Sequence, residues 1–148
     1  MNSIIIRPLD ASDFLQWSQL WEGYNLFYKR TLSEEIIQTS WERFLDPAEQ
    51  MHALVAERNG ILIGLAHYLF HRNTAMICNA CYLQDLFTTE MARGQGVGRL
   101  LIEAVYEKAK NAGSTRVYWQ THETNNIAMK LYDKVADYSG FVVYRKQV

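Results

Sequence analysis

The sequence predicts a single α/β domain built on a mixed, mostly antiparallel central sheet with flanking helices. Strand-like and helix-like segments follow one another in the order β-α-α-β-β-β-α-β-α-β along 148 residues, a length typical of one domain. The consecutive strands in the middle indicate antiparallel pairing, and the strand–helix–strand passage after them indicates a parallel crossover. We expect the domain to span residues 4–148.

One strand and two helices are predicted in the first third of the chain. Residues 4–6 are a run of isoleucines followed closely by Pro8, and they predict a short strand because β-branched side chains favour extended backbone. Apolar residues recur at helical spacing between residues 14 and 24. Ser33 is placed to open a second helix, and Pro47 lies just beyond its predicted end.

The middle of the chain changes to a strand-like pattern. Residues 54–56 and 61–70 predict two strands joined at Asn59-Gly60. This dipeptide is a strong hairpin signal because both residues tolerate a positive φ. A third strand is predicted over residues 82–88.

The last third predicts two helices and two strands. Apolar side chains follow helical spacing from Val97 onward, and Gly113 is a natural stop for that helix. Residues 115–121 predict a strand, Asn126 is placed to cap a further helix, and residues 141–144 predict a final strand.

Composition limits the possible functions. Hydrophobic residues make up 49% of the chain and the formal net charge is −1, so the basic excess typical of nucleic-acid-binding proteins is missing. No apolar run is long enough for a membrane span or a secretory signal, and we expect a cytoplasmic protein. The two cysteines, Cys78 and Cys81, have no second pair to complete a zinc site. We interpret them as free thiols and expect no metal.

The most informative segment is RGQGVGR at residues 93–99, between a predicted strand and a predicted helix. Glycines at a helix start let a large anion approach backbone N–H groups that have no partner inside the helix. Phosphate or diphosphate is the anion this arrangement favours. The spacing excludes a P-loop, because Arg99-Leu100 follows the last glycine. It also disfavours a dinucleotide fingerprint, which needs G-x-G-x-x-G.

The segment resembles a known family. Arg93, Gly96 and Gly98 match the acetyl-CoA-binding pattern R/Q-x-x-G-x-G/A of the GCN5-related N-acetyltransferases, the GNAT superfamily. A second stretch, NNIAMKLYDK at residues 125–134 followed by Gly140-Phe141, resembles the C-terminal signature of that family. The element order is similar to the GNAT fold over nearly the whole chain. The resemblance implies acetyl-CoA as co-substrate and a pair of strands, here 82–88 and 115–121, that splay apart.

The resemblance also implies a set of cofactor contacts. The splayed strand would offer unpaired main-chain groups to the pantetheine amides, and an N–H there could stabilise an oxyanion. The glycine turn would hold the diphosphate, and an asparagine at the next helix would bond the pantetheine arm. These implied cofactor-binding residues are Leu86, Phe87, Thr88, Arg93, Gly94, Gln95, Gly96, Val97, Gly98, Arg99 and Asn125.

Two residues are candidates for the chemistry. By resemblance, Tyr132 would protonate the departing thiolate, as a phenol can when negative charge develops on sulfur. Asp85 lies among apolar neighbours and is a candidate base for the acceptor amine, although a structural salt bridge at a strand end would also explain it. The strand around it resembles that of spermidine/spermine and histone acetyltransferases. Polyamine enzymes usually carry an acidic pair here, and Gln84 replaces its first member.

The acceptor side of the site is less well defined. Glu22, Tyr24, Tyr28 and Gln84 are candidate contacts, because acids and aromatic rings suit a cationic amine. Their helical spacing would equally fit core positions. The sequence therefore predicts acetyl transfer to a primary amine, on a small amine or polyamine or on a protein lysine, by direct attack in a ternary complex. The alternatives are a catalytically silent acyl-CoA-binding module and a nucleotide-binding domain. We also expect a homodimer, paired through the final strand.

Overall fold

A five-stranded sheet forms the centre of the computed structural model, which describes residues 3–148. The strands lie in the sheet in their chain order, and every neighbouring pair is antiparallel except the last, β4 with β5, which is parallel. The strands are β1 (Ile5–Pro8), β2 (Met51–Arg58), β3 (Ile61–His71), β4 (Ala80–Thr88) and β5 (Val117–Tyr118). The predicted mixed α/β fold is confirmed.

Four helices flank the sheet, and short 3₁₀ turns precede the first and the third. The helices are α1 (Phe14–Phe27), α2 (Glu34–Leu45), α3 (Val97–Asn111) and α4 (Asn126–Val135). Between residues 3 and 148, no helix is long and apolar enough to cross a bilayer. Helix α3 forms the predicted crossover from β4 to β5.

Successive side chains of the central strands pack alternately into two separate hydrophobic cores. Val55 and Leu65 point to one core, where they pack with Trp17 and other aromatic side chains of α1 and α2. Their neighbours Leu54 and Ala66 point to the other core, formed largely by α3. This alternation is the period of a strand, and it places the two helical layers on opposite faces of the sheet.

The turn chemistry read from the sequence is confirmed. Asn59 and Gly60 join β2 to β3 with φ angles of 51° and 80°, the left-handed conformation that a tight hairpin needs. Gly113 ends α3 with φ 83°, and the Ser33 hydroxyl accepts from the Ile36 N–H at the start of α2.

The end of the chain differs from the prediction. Residues 141–144 form no strand, and the side chains of Phe141 and Tyr144 are exposed. The strand predicted over residues 115–121 is reduced to β5, only two residues long. A run of β-branched and aromatic residues forms a strand only where a neighbour supplies hydrogen bonds. A β5 of two residues offers residues 141–144 almost no strand edge to pair with. The predicted cap of α4 was also displaced by one residue: Asn125, not Asn126, is the N-cap.

Strands β4 and β5 splay apart as expected. Only Cys81 with Val117 and Tyr82 with Tyr118 pair between them. From residue 83 onward β4 keeps its ladder with β3 but has no strand on its other side. The backbone groups that point away from β3 are therefore available to a ligand.

Helix α3 lies unusually close to the sheet at the same end. A Cβ added to Gly64 on β3 would lie 3.0 Å from the Phe87 carbonyl oxygen and 3.0 Å from a Val97 methyl. The absence of a side chain at Gly64 thus lets the first turn of α3 sit directly beside the open part of β4.

Candidate active site

The glycine turn forms an open, donor-rich cradle at the start of α3. Gly94 and Gly96 have φ angles of 75° and 83°, and a Cβ at either would meet no atom within 4 Å. The first main-chain bond of the helix is from the Leu100 N–H to the Gly96 carbonyl, 3.1 Å long. The preceding N–H groups are the ones a helix start leaves for an anion. Open space and free amides together fit an elongated anion such as a diphosphate.

The polar side chains of this turn surround the cradle. The Arg93 guanidinium donates to the Thr88 carbonyl at 3.4 Å, which ties the turn to the end of β4. Arg99 pairs with Glu103 one turn along α3, at 2.9 Å on the exposed surface, and the Gln95 amide donates to the Met91 carbonyl. Val97 differs from the rest, because its side chain is fully in the core. Only its backbone is available to a cofactor.

The open edge of β4 and the start of α4 form the other walls. Leu86, Phe87 and Thr88 pair with β3 on one side only. Across the gap, Asn125 caps α4: its side-chain oxygen accepts from the Ala128 N–H, and its amide nitrogen lies 3.4 Å from the Thr121 hydroxyl. Asn125 thus has the structural role of a cap, and its contact with the pantetheine arm stays a prediction.

A narrow crevice gathers most of the predicted catalytic and acceptor residues. Side chains from α1, β4, α4 and the β5–α4 loop line it, namely Tyr24, Tyr28, Gln84, Trp119, Gln120 and Tyr132. Burial, and secondarily the neighbouring Tyr28, raises the pKa of Tyr132 to about 12. The phenol of Tyr132 therefore keeps its proton throughout the neutral range and can donate it.

Asp85 lies beneath this crevice, almost fully buried, and joins a hydrogen-bonded chain. Its carboxylate is 3.0 Å from Nδ1 of His67, which is its partner across β3 and β4. The other ring nitrogen of His67 accepts from the indole N–H of Trp17 at 3.1 Å. An indole N–H can only donate, so Nε2 of His67 carries no proton and Nδ1–H donates to Asp85. His67 is held neutral, and the Asp85 carboxylate keeps a negative charge without a cationic partner.

The two tyrosines of α1 connect this charge to the crevice. Burial, followed by the charge of Asp85, raises the pKa of both Tyr24 and Tyr28. The Tyr24 hydroxyl is within hydrogen-bonding reach of Asp85. The crevice wall is thus a protonated phenol backed by a buried carboxylate, which favours a cation such as an ammonium group.

A second, larger cleft lies between α1 and α2. It measures about 770 Å³ and includes Trp21, Glu22, Arg30, Glu34 and Glu35. Glu22 therefore lies on a different wall from Tyr24, Tyr28 and Gln84, the residues with which the sequence analysis grouped it.

Sequence reasoning missed three residues of the site. His67 and Trp17 carried no signal, because their link to Asp85 depends on strand register and on the packing of α1 against the sheet. Arg30 follows the end of α1, outside every motif.

The cysteines have no part in the site. Cys81 is buried and its pKa rises to about 12 through burial, and the Cys78 thiol contacts the Thr115 hydroxyl at 3.3 Å. Over residues 3–148 no three His, Cys, Asp or Glu side chains converge in a way that could hold a metal ion.

Comparison with known proteins agrees with this geometry. The model of the acetyltransferase (GNAT) family matches residues 15–138. The D-amino-acid N-acetyltransferase HPA3 of Saccharomyces cerevisiae is 37% identical over 98% of this chain and 91% of its own length. The thialysine N-epsilon-acetyltransferase of Mus musculus is 27% identical over 85% of this chain and 77% of its own. Among solved structures, AAC(6')-Iy in complex with a bisubstrate analog superposes with a TM-score of 0.80 at 22% identity, covering 99% of both chains.

The cradle can be tested with two glycines that share one backbone conformation. Gly96→Ala places a side chain in the left-handed region at the start of α3, and we expect it to weaken coenzyme A binding about tenfold or more. Gly113→Ala imposes the same strain, at φ 83° as in Gly96, but at the far end of the helix. It should leave coenzyme A affinity unchanged. Titration calorimetry measures both, and equal losses in the two variants would contradict the cradle.

Proposed function

The chain belongs to the GNAT family and is an acetyl-CoA-dependent N-acetyltransferase, and on this basis we propose that its acceptor is the amine of a small amino acid. The transfer is a direct attack of that amine in a ternary complex. One observation carries the proposal: the protonated Tyr132 and Tyr24, whose hydroxyl is under the influence of the buried Asp85 carboxylate, line the same crevice beside the open edge of β4. A proton donor, Tyr132, and a hydroxyl linked to a base, that of Tyr24, thus lie in the crevice where the acetyl donor and the acceptor amine would come together.

The acceptor class rests on the relatives and on the size of the crevice. The relative with 37% identity is by name an acetyltransferase of D-amino acids, and the crevice is narrow enough to favour a small amine. The strand around Asp85 resembles that of polyamine acetyltransferases, so a polyamine is a second candidate acceptor. Those enzymes usually carry an acidic residue at the position where this chain has the neutral Gln84. A protein lysine is the third candidate, and the acceptor screen below separates the three.

The donor side of the proposal uses the cradle and the open strand edge. The free amides at the start of α3 hold the diphosphate, and Arg93 and Arg99 add positive charge around it. The unpaired backbone of β4 near Leu86, Phe87 and Thr88 bonds the pantetheine amides. When bound there, acetyl-CoA supplies a thioester carbonyl for the amine to attack and a thiolate as leaving group.

The acid–base steps follow from the hydrogen-bonded chain. The ammonium of the acceptor gives a proton to the Tyr24 oxygen while the Tyr24 hydroxyl proton passes to the Asp85 carboxylate. The tyrosine ends neutral and the carboxylate ends protonated, so charge and protons balance. Tyr132 supplies a proton to the leaving thiolate, and its raised pKa keeps that proton available. The acylated nitrogen gives up its second proton to restore the Tyr132 phenol, so the products are a neutral amide, a neutral thiol and one proton held on Asp85.

The sequence also suggests an alternative function, an oligomeric state and a cellular location. The silent acyl-CoA-binding module receives no support from the relatives, whose names are those of acetyltransferases. The homodimer and the domain bounds 4–148 stay predictions. The exposed side chains of Phe141 and Tyr144 support the homodimer, and sedimentation of the purified chain would test it. The cytoplasmic location also stays a prediction.

A thiol-release assay with acetyl-CoA tests the acceptor class. We expect the highest kcat/KM with a free D- or L-amino acid, and lower values with spermidine, an aminoglycoside and a lysine-containing peptide. Turnover confined to the polyamine or to the peptide would contradict the amino-acid proposal and leave the acetyltransferase assignment in place.

Removing the Tyr132 hydroxyl should affect chemistry and not donor binding. We expect Tyr132→Phe to lower kcat by about a hundredfold, the range of general acid catalysis, with coenzyme A affinity unchanged. Because the pKa of Tyr132 is raised to about 12, the wild-type kcat should not fall between pH 8 and pH 10.0, where an ordinary tyrosine begins to ionise. Tyr138→Phe, at an exposed position, is the control. Unchanged turnover in Tyr132→Phe would remove this residue from the mechanism.

Asp85→Asn tests the base. The amide cannot accept the relayed proton, and we expect kcat/KM for the amine to fall about tenfold to a hundredfold with coenzyme A affinity retained. An amide oxygen can still accept from His67, so thermal unfolding should show that the variant folds. If a folded Asp85→Asn variant keeps full turnover, Asp85 is a structural partner of His67 and not the base.

A further inference from the structure

Arg30 is held in a fixed position at the end of α1, although it lies on the surface. Its Nε–H donates to the side-chain oxygen of Asn25. Asn25 is itself 97% buried, with 3% of its surface exposed, and its amide nitrogen donates to the Trp21 carbonyl at 2.7 Å. The guanidinium carbon lies 5.7 Å from the centre of the Tyr24 ring. A buried amide and an aromatic face therefore orient this guanidinium before any ligand arrives.

The outer edge of the Arg30 guanidinium is available to a ligand. Of the three guanidinium nitrogens, only Nε has a hydrogen bond to the described part of the chain, and no carboxylate from residue 3 to residue 148 forms an ion pair with Arg30. The terminal nitrogens form the donor fork that matches a carboxylate in a bidentate geometry. A preorganised fork without an acid partner is what a carboxylate-binding site requires.

The position of Arg30 links it to the reaction site. It lines the cleft between α1 and α2, while the Tyr24 ring beneath it belongs to the catalytic crevice. Its charge acts on the hydroxyls of both Tyr24 and Tyr28 and opposes the effect of Asp85 on their pKa values. A cation and a buried anion thus both lie near the same two phenols. This pair of opposite charges matches a zwitterion.

Other polar side chains also line the cleft beside Arg30. Glu22, Glu34 and Glu35 also line it and would repel an anion, but all three are exposed and none lies within 4.0 Å of Arg30 in an ion pair. Trp21 lines the cleft too, and its indole N–H is buried without an acceptor among residues 3–148. This buried N–H adds a positive partial charge to the cleft wall, but it has no exposed surface for direct contact with a ligand.

We propose that Arg30, supported by Asn25 and the Tyr24 ring, binds the carboxylate of the acceptor and so makes the enzyme selective for amino acids over simple amines. This assignment rests on the proposed function, because it concerns the same acceptor. With the carboxylate on Arg30, the ammonium points to the Tyr24–Asp85 end, where the proton is removed.

Matched substrates and matched variants test the carboxylate site. D-alanine and D-alaninamide share their side chain and α-amine, and they differ at the group that Arg30 would bind, a carboxylate in one and a neutral amide in the other. In the wild type we expect a higher kcat/KM for D-alanine. Arg30→Gln should lower it about tenfold or more, mainly through KM, with less than about a twofold change for the amide. Arg30→Lys keeps the charge without the fork and should restore only part of the selectivity.

Lys29→Gln is the control, because it removes the same charge from the neighbouring exposed residue. It should leave the ratio between D-alanine and D-alaninamide unchanged. An equal loss in Lys29→Gln and Arg30→Gln would reduce the effect to general electrostatics and overturn the proposal. The proposal would also be overturned if Arg30→Gln lowered kcat/KM equally for D-alanine and D-alaninamide.

Equilibrium binding separates this inference from the proposed function. Calorimetry with D-alanine and D-alaninamide, each added to the protein saturated with coenzyme A, reports carboxylate recognition without turnover. Selective binding that Arg30→Gln abolishes would support the site even if no amino acid were acetylated, in which case only the proposed acceptor would fail. If the wild type binds D-alanine no better than D-alaninamide, the carboxylate site is wrong.

Discussion

The loss of pairing between β4 and β5 after two residues is the constraint on which the rest of the site depends. Up to Tyr82 the two strands share a parallel ladder, and beyond it β4 is bonded to β3 alone. Backbone groups that leave a sheet need other partners. The resulting gap has the start of α3 on one side and the start of α4 on the other. Because β4, α3 and α4 converge there, the same opening is lined by the donor-rich start of α3, the free edge of β4 and Tyr132 of α4.

A buried charge at the wall of this opening gives the site its second property. Asp85 would be costly to bury as an isolated carboxylate, and the Trp17–His67 chain reduces that cost with a hydrogen bond and not with a countercharge. The negative charge therefore remains effective at Tyr24 and Tyr28. Arg30, oriented by Asn25 and close to the Tyr24 ring, contributes the positive counterpart. The arrangement makes the region for which we propose an acceptor role dipolar and not simply acidic.

The sequence predicted the local elements well, and failed where an element depends on a distant neighbour. The hairpin at Asn59-Gly60, the helix from Val97 and its stop at Gly113 follow from residue type alone, because φ preferences and helical spacing act within a few residues. The strand predicted at residues 141–144 had the right residue types, β-branched and aromatic, but no strand edge to join. Asn125 took the capping position predicted for Asn126, a difference that a local pattern of two adjacent asparagines does not resolve.

By itself, the sequence determined the features from which we predict the donor side: a glycine-rich helix start, its arginines, and the spacing to Asn125 and Tyr132 that marks the family. These features depend on residue type and on spacing along the chain, so a single sequence is enough to identify them. Only the tertiary structure brought together the residues for which we propose an acceptor role. His67 meets Asp85 through strand register, Trp17 reaches His67 through helix packing, and Arg30 is oriented by a fold in the chain after α1. Such contacts join residues that share no sequence pattern, because only the folded backbone brings their side chains within hydrogen-bonding distance.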